Sequence, residues 1–201
     1  MATLPVTYRT FRLTAAMLIT ITPCSTYAAN TGVDTNANFV SSFGILHVED
    51  MDFGNIDFVG STFSSADLAK LGTDGSVSYT GNFSGDGNGA YGRAQIIGAT
   101  VGQTIDLHCT KNAMLANDSG STIGFRKGKF AFDGEQAPFP SGHNCTSLNG
   151  SPSYSFVVTS PTVNLYFGGQ LRGNLVAGAL GGEYSTLKSG GSPMQVEIVY
   201  Q

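Results

Sequence analysis

The sequence predicts an all-β fold, a sandwich or a barrel, and three observations carry that reading. The first is the stretch 193–201, where Met194, Val196, Ile198 and Tyr200 face one way and Gln195, Glu197 and Gln201 the other. A period of two is that of a strand with one buried face, and the strand is expected to run to the last residue. The second is a series of short extended runs at roughly 8–12 residue spacing, broken by turn-forming residues, as in sandwiches and barrels. The third is that no helix-period segment of convincing length follows residue 29. The best one, residues 64–71, has Ser64 or Ser65 as a cap and Gly72 as a stop, so at most short helical turns are expected.

The elements follow in order. Arg9 and Arg12 form a basic region with no acid nearby, residues 13–21 are a short apolar core, and Thr26-Tyr-Ala-Ala29 offers cleavage after Ala28 or Ala29. This is the pattern of a secretory signal peptide over residues 1–29. Its apolar run is about half the ~20 residues a span needs, so no membrane insertion is expected after cleavage. Cys24 follows Pro23, where a lipoprotein box wants Gly or Ala, which argues against a lipid anchor.

Residues 30–42 then form an N-terminal extension. Val33, Thr35, Ala37 and Phe39 alternate with Asp34, Asn36 and Asn38, a strand pattern ahead of the block that looks like the domain's own first strand. One reading makes this a donor strand whose knobs Val33, Ala37 and Phe39 insert into a neighbouring subunit. The other leaves it fraying in solvent or pairing within its own domain. A single domain is expected over 43–201. Within it, residues 43–48, 51–59, 75–80, 91–97, 104–109 and 154–159 read as strands, with a turn region at 98–103. Residues 122–125 and 129–133 read as a hairpin. So do 162–167 and 171–176, turning at Gly168-Gly169. Residues 84–90 and 178–191 are Gly-rich loops.

Charge and cysteines bound the function. The chain carries 10 basic and 14 acidic residues, net −4; loss of Arg9 and Arg12 with the signal leaves 8 against 14, or −6. Such a chain has no basic footprint for nucleic acid. Charged residues are only 12% of the chain, and the balance is too apolar for wholesale disorder. The ~172 residues that remain (201 less 29) suffice for one domain with a real core. Cys24 leaves with the signal. Cys109 and Cys145 then form an even pair, expected as a disulfide in an oxidising compartment.

Several blocks carry a family resemblance. Asp50-Met-Asp-Phe-Gly-Asn-Ile56 matches a D-[LM]-[DN]-F-G-x-[IV] signature that follows a first strand. Gly75-Ser-Val-Ser-Tyr79 fits the next strand, and residues 91–107 fit an F-x-V-x-G-x-x-G-x-x-[VY]-x-[IL] run. Val163-Asn-Leu-Tyr-Phe-Gly-Gly-Gln-Leu171 fits an L-x-V-G-G-x-L hairpin, while Gly182-Glu-Tyr-Ser185 and the last strand fit G-x-Y and V-x-V-x-Y. In this order the blocks resemble the bacterial secreted family called domain of unknown function 4402, over most of 43–201. The resemblance implies an immunoglobulin-like antiparallel β-sandwich exported by a Gram-negative bacterium to the periplasm, cell surface or medium; it implies no activity. The segment between Cys109 and Cys145 and the stretch 187–192 are longer here than in that family. A looser similarity is to chaperone–usher pilin subunits. These end in an alternating strand with a penultimate Tyr, as Tyr200 is here, and carry an N-terminal donor extension, the place of Val33 to Phe39. Their open groove leaves backbone and apolar groups unsatisfied until an arm fills it.

Constellations for chemistry are sparse. His108-Cys109 and His143-x-Cys145 would suit zinc only if both thiols stayed reduced, so no metal is expected. Asp86-Gly-Asn-Gly89 echoes half a calcium loop but lacks the bidentate Glu. Glu49, Asp50 and Asp52 read as solvated edge charges rather than a glycosidase pair. Tyr79, Tyr91, Tyr154 and Tyr166 are sheet residues before they are sugar platforms. The resulting expectation is a non-enzymatic exported structural protein without a cofactor, pilin-like or surface-associated. It would assemble by strand complementation, with Met194, Val196, Ile198 and Tyr200 lining the acceptor side and offering an edge to another copy or a periplasmic chaperone. The alternative is a monomeric adhesin-like binding module that uses the Gly-rich loops.

Overall fold

The computed structural model describes residues 43–179 and 181–201. In chain order these form β1 (Gly44–Glu49), β2 (Ile56–Phe58), β3 (Leu68–Leu71), β4 (Val77–Thr80), β5 (Phe83–Gly85), β6 (Gly92–Ile97) and β7 (Thr104–Cys109). They continue with β8 (Ala113–Ala116), β9 (Thr122–Phe132), β10 (His143–Asn144), β11 (Tyr154–Val157), β12 (Thr162–Ala177) and β13 (Val196–Tyr200). Among the described residues there is no helix, and the strands pair antiparallel. The fold is an all-β antiparallel sandwich.

The long strand β12 organises the larger, eight-stranded sheet. Its residues Leu165, Phe167, Gly169 and Leu171 are buried and share one face, as a period of two requires. Its first half pairs with β6 through Thr162–Phe167, and its second half with β3 through Gly169–Arg172. On its other side β9 pairs with it from Leu165 to Ala177. The strand order is therefore β1-β6-β12-β9-β10 at one end and β4-β3-β12-β9-β8 at the other.

Two apolar clusters lie on the inner face. Over the first half of β12, the sheet β11-β7-β13 encloses Ile96, Ile105, Leu107, Phe130, Leu165 and Phe167. Over the second half, the ribbon β2-β5 and Phe53 cover Leu71, Ile123, Phe125 and Leu171. Met51 and Met194 touch both clusters.

Three expectations are corrected. Gly168-Gly169 is not a hairpin turn, and 162–177 is one strand. A Cβ on Gly168 would overlap the Leu71 carbonyl of β3, and one on Gly169 would overlap the Phe125 ring. These glycines let neighbours approach closely rather than let the chain reverse. Residues 122–133 are likewise no hairpin. Between Gly168↔Lys129 and Gln170↔Arg126, β9 advances one residue more than β12, a bulge at Lys127-Gly128. The extra residue resets the parity, so Phe125 before it and Phe130 after it both face the core. Lys127 sits there at φ 54°. Finally, residues 64–71 are not helical. Asp67 accepts from Ser64 N (2.7 Å) and Asn82 N (2.8 Å), tying the turn to the start of β5, and 68–71 pair between β12 and β4. Long-range pairing overrides the local helical signal here.

Candidate functional site

The C-terminal strand lies where the two layers meet at one side of the sandwich. β13 pairs only with β7 among the described residues. Val196, Ile198 and Tyr200 are half-buried against the first cluster, and Glu197 and Val199 are exposed. Thr110 N donates to Gln195 O (3.0 Å) and Gln201 N to Thr104 O (3.1 Å), so the odd residues of β13 bond β7. In an antiparallel ladder the alternate residues then point their N–H and C=O the other way. Val196, Ile198 and Tyr200 thus send apolar side chains inward and backbone groups toward the open edge. Met194 precedes the strand and bridges both clusters.

The other layer ends beside it in β1, whose strand partner is β6. The Phe43 and Tyr200 rings stack at 4.0 Å across the seam, and Tyr200 Oη accepts from Thr100 N at 2.9 Å. β1 is bulged between His47 and Glu49, and carries the pairs His47–Asp50 (3.1 Å) and Arg93–Glu49 (3.2 Å). Bulges and charges of this kind moderate an edge. β13 has one exposed acid, Glu197, opposite His108, and an exposed Val199. The signal segment and the extension with Val33, Ala37 and Phe39 lie outside the described residues.

Cys109 and Cys145 form the expected disulfide. It joins the end of β7 to the residue after β10 and so staples one layer to the other. The two thiols are therefore not available as metal ligands. His143 pairs with Glu135 at 3.2 Å and stacks on Phe130, and His108 stands opposite Glu197.

Asp52 and Asp86 hold turns. Asp86 accepts from Asn88 N (3.0 Å) and Asn55 Nδ2 (2.8 Å), and these bonds, the Asn88 N–H first, hold its carboxyl below the usual range. Asp52 accepts from Gly54 N at 2.8 Å. The tyrosines are engaged too: Tyr166 donates to Asp133 Oδ1 (2.7 Å) and meets Tyr91 edge-on, Tyr79 bonds Phe53 O, and Tyr154 sits among Phe132, His143 and Phe156.

The structure also assembles a group that the sequence reading passed over. At the β9 bulge, Lys111, Arg126, Lys127 and Arg172 line one depression of about 400 Å³. They come from three separate stretches, and net charge hides them. Their only sequence signal is the basic run Arg126-Lys127-Gly-Lys129. The alternation of β12 puts Gln170 and Arg172 on the face opposite Leu171, and the register sets Gln170 against Arg126. Gln170 is 1% exposed and its amide faces the Arg172 guanidinium; in the amide orientation that satisfies both groups, its oxygen accepts from Nε and Nη2 at 2.5 and 3.0 Å. Arg126 Nη1 donates to Phe125 O at 2.8 Å.

The chain matches no family model, no curated protein and no solved structure.

Proposed function

We propose that this protein is a non-enzymatic structural subunit, exported and surface-associated, that assembles through strand pairing at the β1/β13 seam. One observation carries the reading: among the described residues the edge strands of both layers, β1 and β13, lie side by side there, bridged by the Phe43–Tyr200 stack. An added strand gains the outward backbone groups of Val196, Ile198 and Tyr200, and inserts alternate side chains beside the half-buried core residues. The alternating pattern of Val33, Ala37 and Phe39 suits that role. The partner is a second copy or, before assembly, a periplasmic chaperone. The turn-holding roles of Asp52 and Asp86 agree with a non-catalytic protein.

The test is size-exclusion chromatography of the protein with and without residues 30–42, alongside Val199→Lys. Strand pairing predicts oligomers in the intact protein, monomer on removal of 30–42, and rescue by a peptide of that segment. Val199→Lys places a cation on the edge strand and weakens assembly without unfolding the domain, because Val199 is exposed. Equal monomer in every case overturns the proposal in favour of a self-contained binding module.

A further inference from the structure

We propose that the depression at the β9 bulge binds a multiply charged oxyanion carried on a small polyol, namely a phosphate or sulfate ester of a sugar. Four cations converge there: Lys111, Arg126, Lys127 and Arg172. Residues 43–201 contain eight Lys and Arg, so half of them share one depression in a chain of net charge −4. Among the described residues no carboxylate lines it. Elsewhere Arg93 is matched to Glu49 and Lys188 to Asp118 and Glu183, while Lys70 and Lys129 have no carboxylate partner among the described residues. Among the described residues none of the four has such a partner. Like charges brought together repel, increasingly so as solvent is excluded. An anion that bridges them turns that repulsion into attraction.

The site is also built. Gln170 is a buried polar side chain whose oxygen fixes the Arg172 guanidinium, leaving Nη1 free of that bond. A held guanidinium presents a planar fork that suits an oxyanion. Lys127 occupies a left-handed conformation that side chains avoid and glycine does not. Non-glycine residues kept in such conformations cluster at ligand sites. Gly128 is clamped on both sides, donating to Lys111 O and accepting from Cys145 N at 2.9 Å each. That clamp sets the backbone of Lys111 and Lys127 near the disulfide. Lys129, beside the depression, has its ammonium pushed below the usual range by burial and then by Lys127.

The neutral lining decides between a bare ion and an ester. Asn112, Asn144 and Thr146 add amide and hydroxyl groups that pair with hydroxyls rather than with more charge. A volume of about 400 Å³ lies at the small end of ligand pockets and admits a monosaccharide.

Calorimetric titration of the purified protein at about physiological ionic strength tests this with glucose 6-phosphate, inorganic phosphate and glucose. Saturable binding of glucose 6-phosphate, weaker binding of phosphate and none of glucose is expected. Equal affinity for the two phosphates keeps the oxyanion site and overturns the ester. Arg172→Gln and Lys127→Gly are each expected to weaken binding about tenfold, with Arg93→Gln unchanged. Lys127→Gly suits the local backbone, so it keeps the test decisive if Arg172→Gln fails to fold. Absence of saturable binding by either phosphate, or an equal loss in Arg93→Gln, overturns the site. This outcome is independent of strand pairing, which is read from oligomeric state.

Discussion

Gly169 lies directly against the buried ring of Phe125, at the point where β12 passes from its β6 partner to its β3 partner. There is no room for a Cβ between them. Phe125 is 1% exposed and packs edge-on to Phe53 at 6.2 Å, so the ring has little freedom to retreat. Gly169→Ala is therefore expected to cost about 1–3 kcal/mol by overpacking. Phe125→Leu in the same chain shrinks the obstacle, so the double variant should be more stable than the sum of the single losses. Urea denaturation of the three variants checks this, and strict additivity would locate the strain elsewhere.

The bulge in β9 supplies a prediction of opposite sign. Lys127 holds φ 54° without the backbone freedom of glycine. Its replacement by Gly removes a left-handed penalty of about 1 kcal/mol, partly offset by the larger entropy of a glycine in the unfolded chain. Lys127→Gly should leave the protein at least as stable as the parent in denaturant melts. Lys127→Val, β-branched at the same φ, should be clearly less stable. A destabilised Lys127→Gly would mean that the lysine side chain contributes packing the backbone argument omits.

The same two positions show what was legible in the sequence. Period-two patterning places strands well: β6, β7, β11 and β13 fall within the runs read as strands and β1 runs one residue past its own, because one buried face imposes alternation however the sheet is assembled. Glycine misled the reading. Gly168-Gly169 and Lys127-Gly128 both look like chain reversals, since a glycine that supplies a turn and a glycine that admits a neighbour are the same letter. Only the partner strand distinguishes them: Leu71 for Gly168, Phe125 for Gly169, and the β12 register for the bulge. The disulfide was legible from cysteine parity together with the expected oxidising compartment. The cationic depression was not, because Lys111, Arg126 and Arg172 meet only once β8, β9 and β12 are aligned.

Asp67 makes stability depend on pH in the acid range. Its carboxylate accepts two backbone N–H groups, and the bond from Asn82, followed by that from Ser64, holds its pKa below the ordinary aspartate value near ~3.9. A lowered folded-state pKa contributes stability that is present above the unfolded value and lost as pH falls through the folded one. Asp106, held low by Ser155 and then Gln201, and Asp86 add in the same direction. The melting temperature should therefore fall as pH drops below about 4. Asp67→Asn should melt lower at neutral pH and show a shallower acid slope, since its amide cannot accept from both donors. An unchanged slope would assign the acid sensitivity to the other two aspartates.

Tyr200 separates two contributions at the seam. Its hydroxyl accepts from Thr100 N while its ring stacks on Phe43. Tyr200→Phe keeps the stack and removes the acceptor, an expected loss of about 0.5–1.5 kcal/mol. Tyr200→Ala removes both and should cost more. If the seam is the assembly surface, Tyr200→Ala should also lower the oligomer fraction, and Tyr200→Phe should not. Circular-dichroism melts and size-exclusion on the same samples distinguish a stability effect from an assembly effect.

The disulfide should outweigh either of these. Cys109 and Cys145 are 36 residues apart in sequence, at 0% and 4% exposure, and they tie β7 to the segment after β10. Closing a loop of that length removes unfolded-chain entropy worth about 3–4 kcal/mol. The double variant Cys109→Ala and Cys145→Ala should lose about that much in denaturant melts, plus a smaller amount for the cavity left by two buried sulfurs. Because both sulfurs are enclosed, thiol-disulfide exchange by a mild reductant should require opening of the layers and so track unfolding. A bridge reduced rapidly in the native protein would show instead that the β7 end of the smaller sheet opens locally, close to the start of β13. In that case the seam would owe its accessibility to motion of the whole smaller sheet rather than to a fixed free edge.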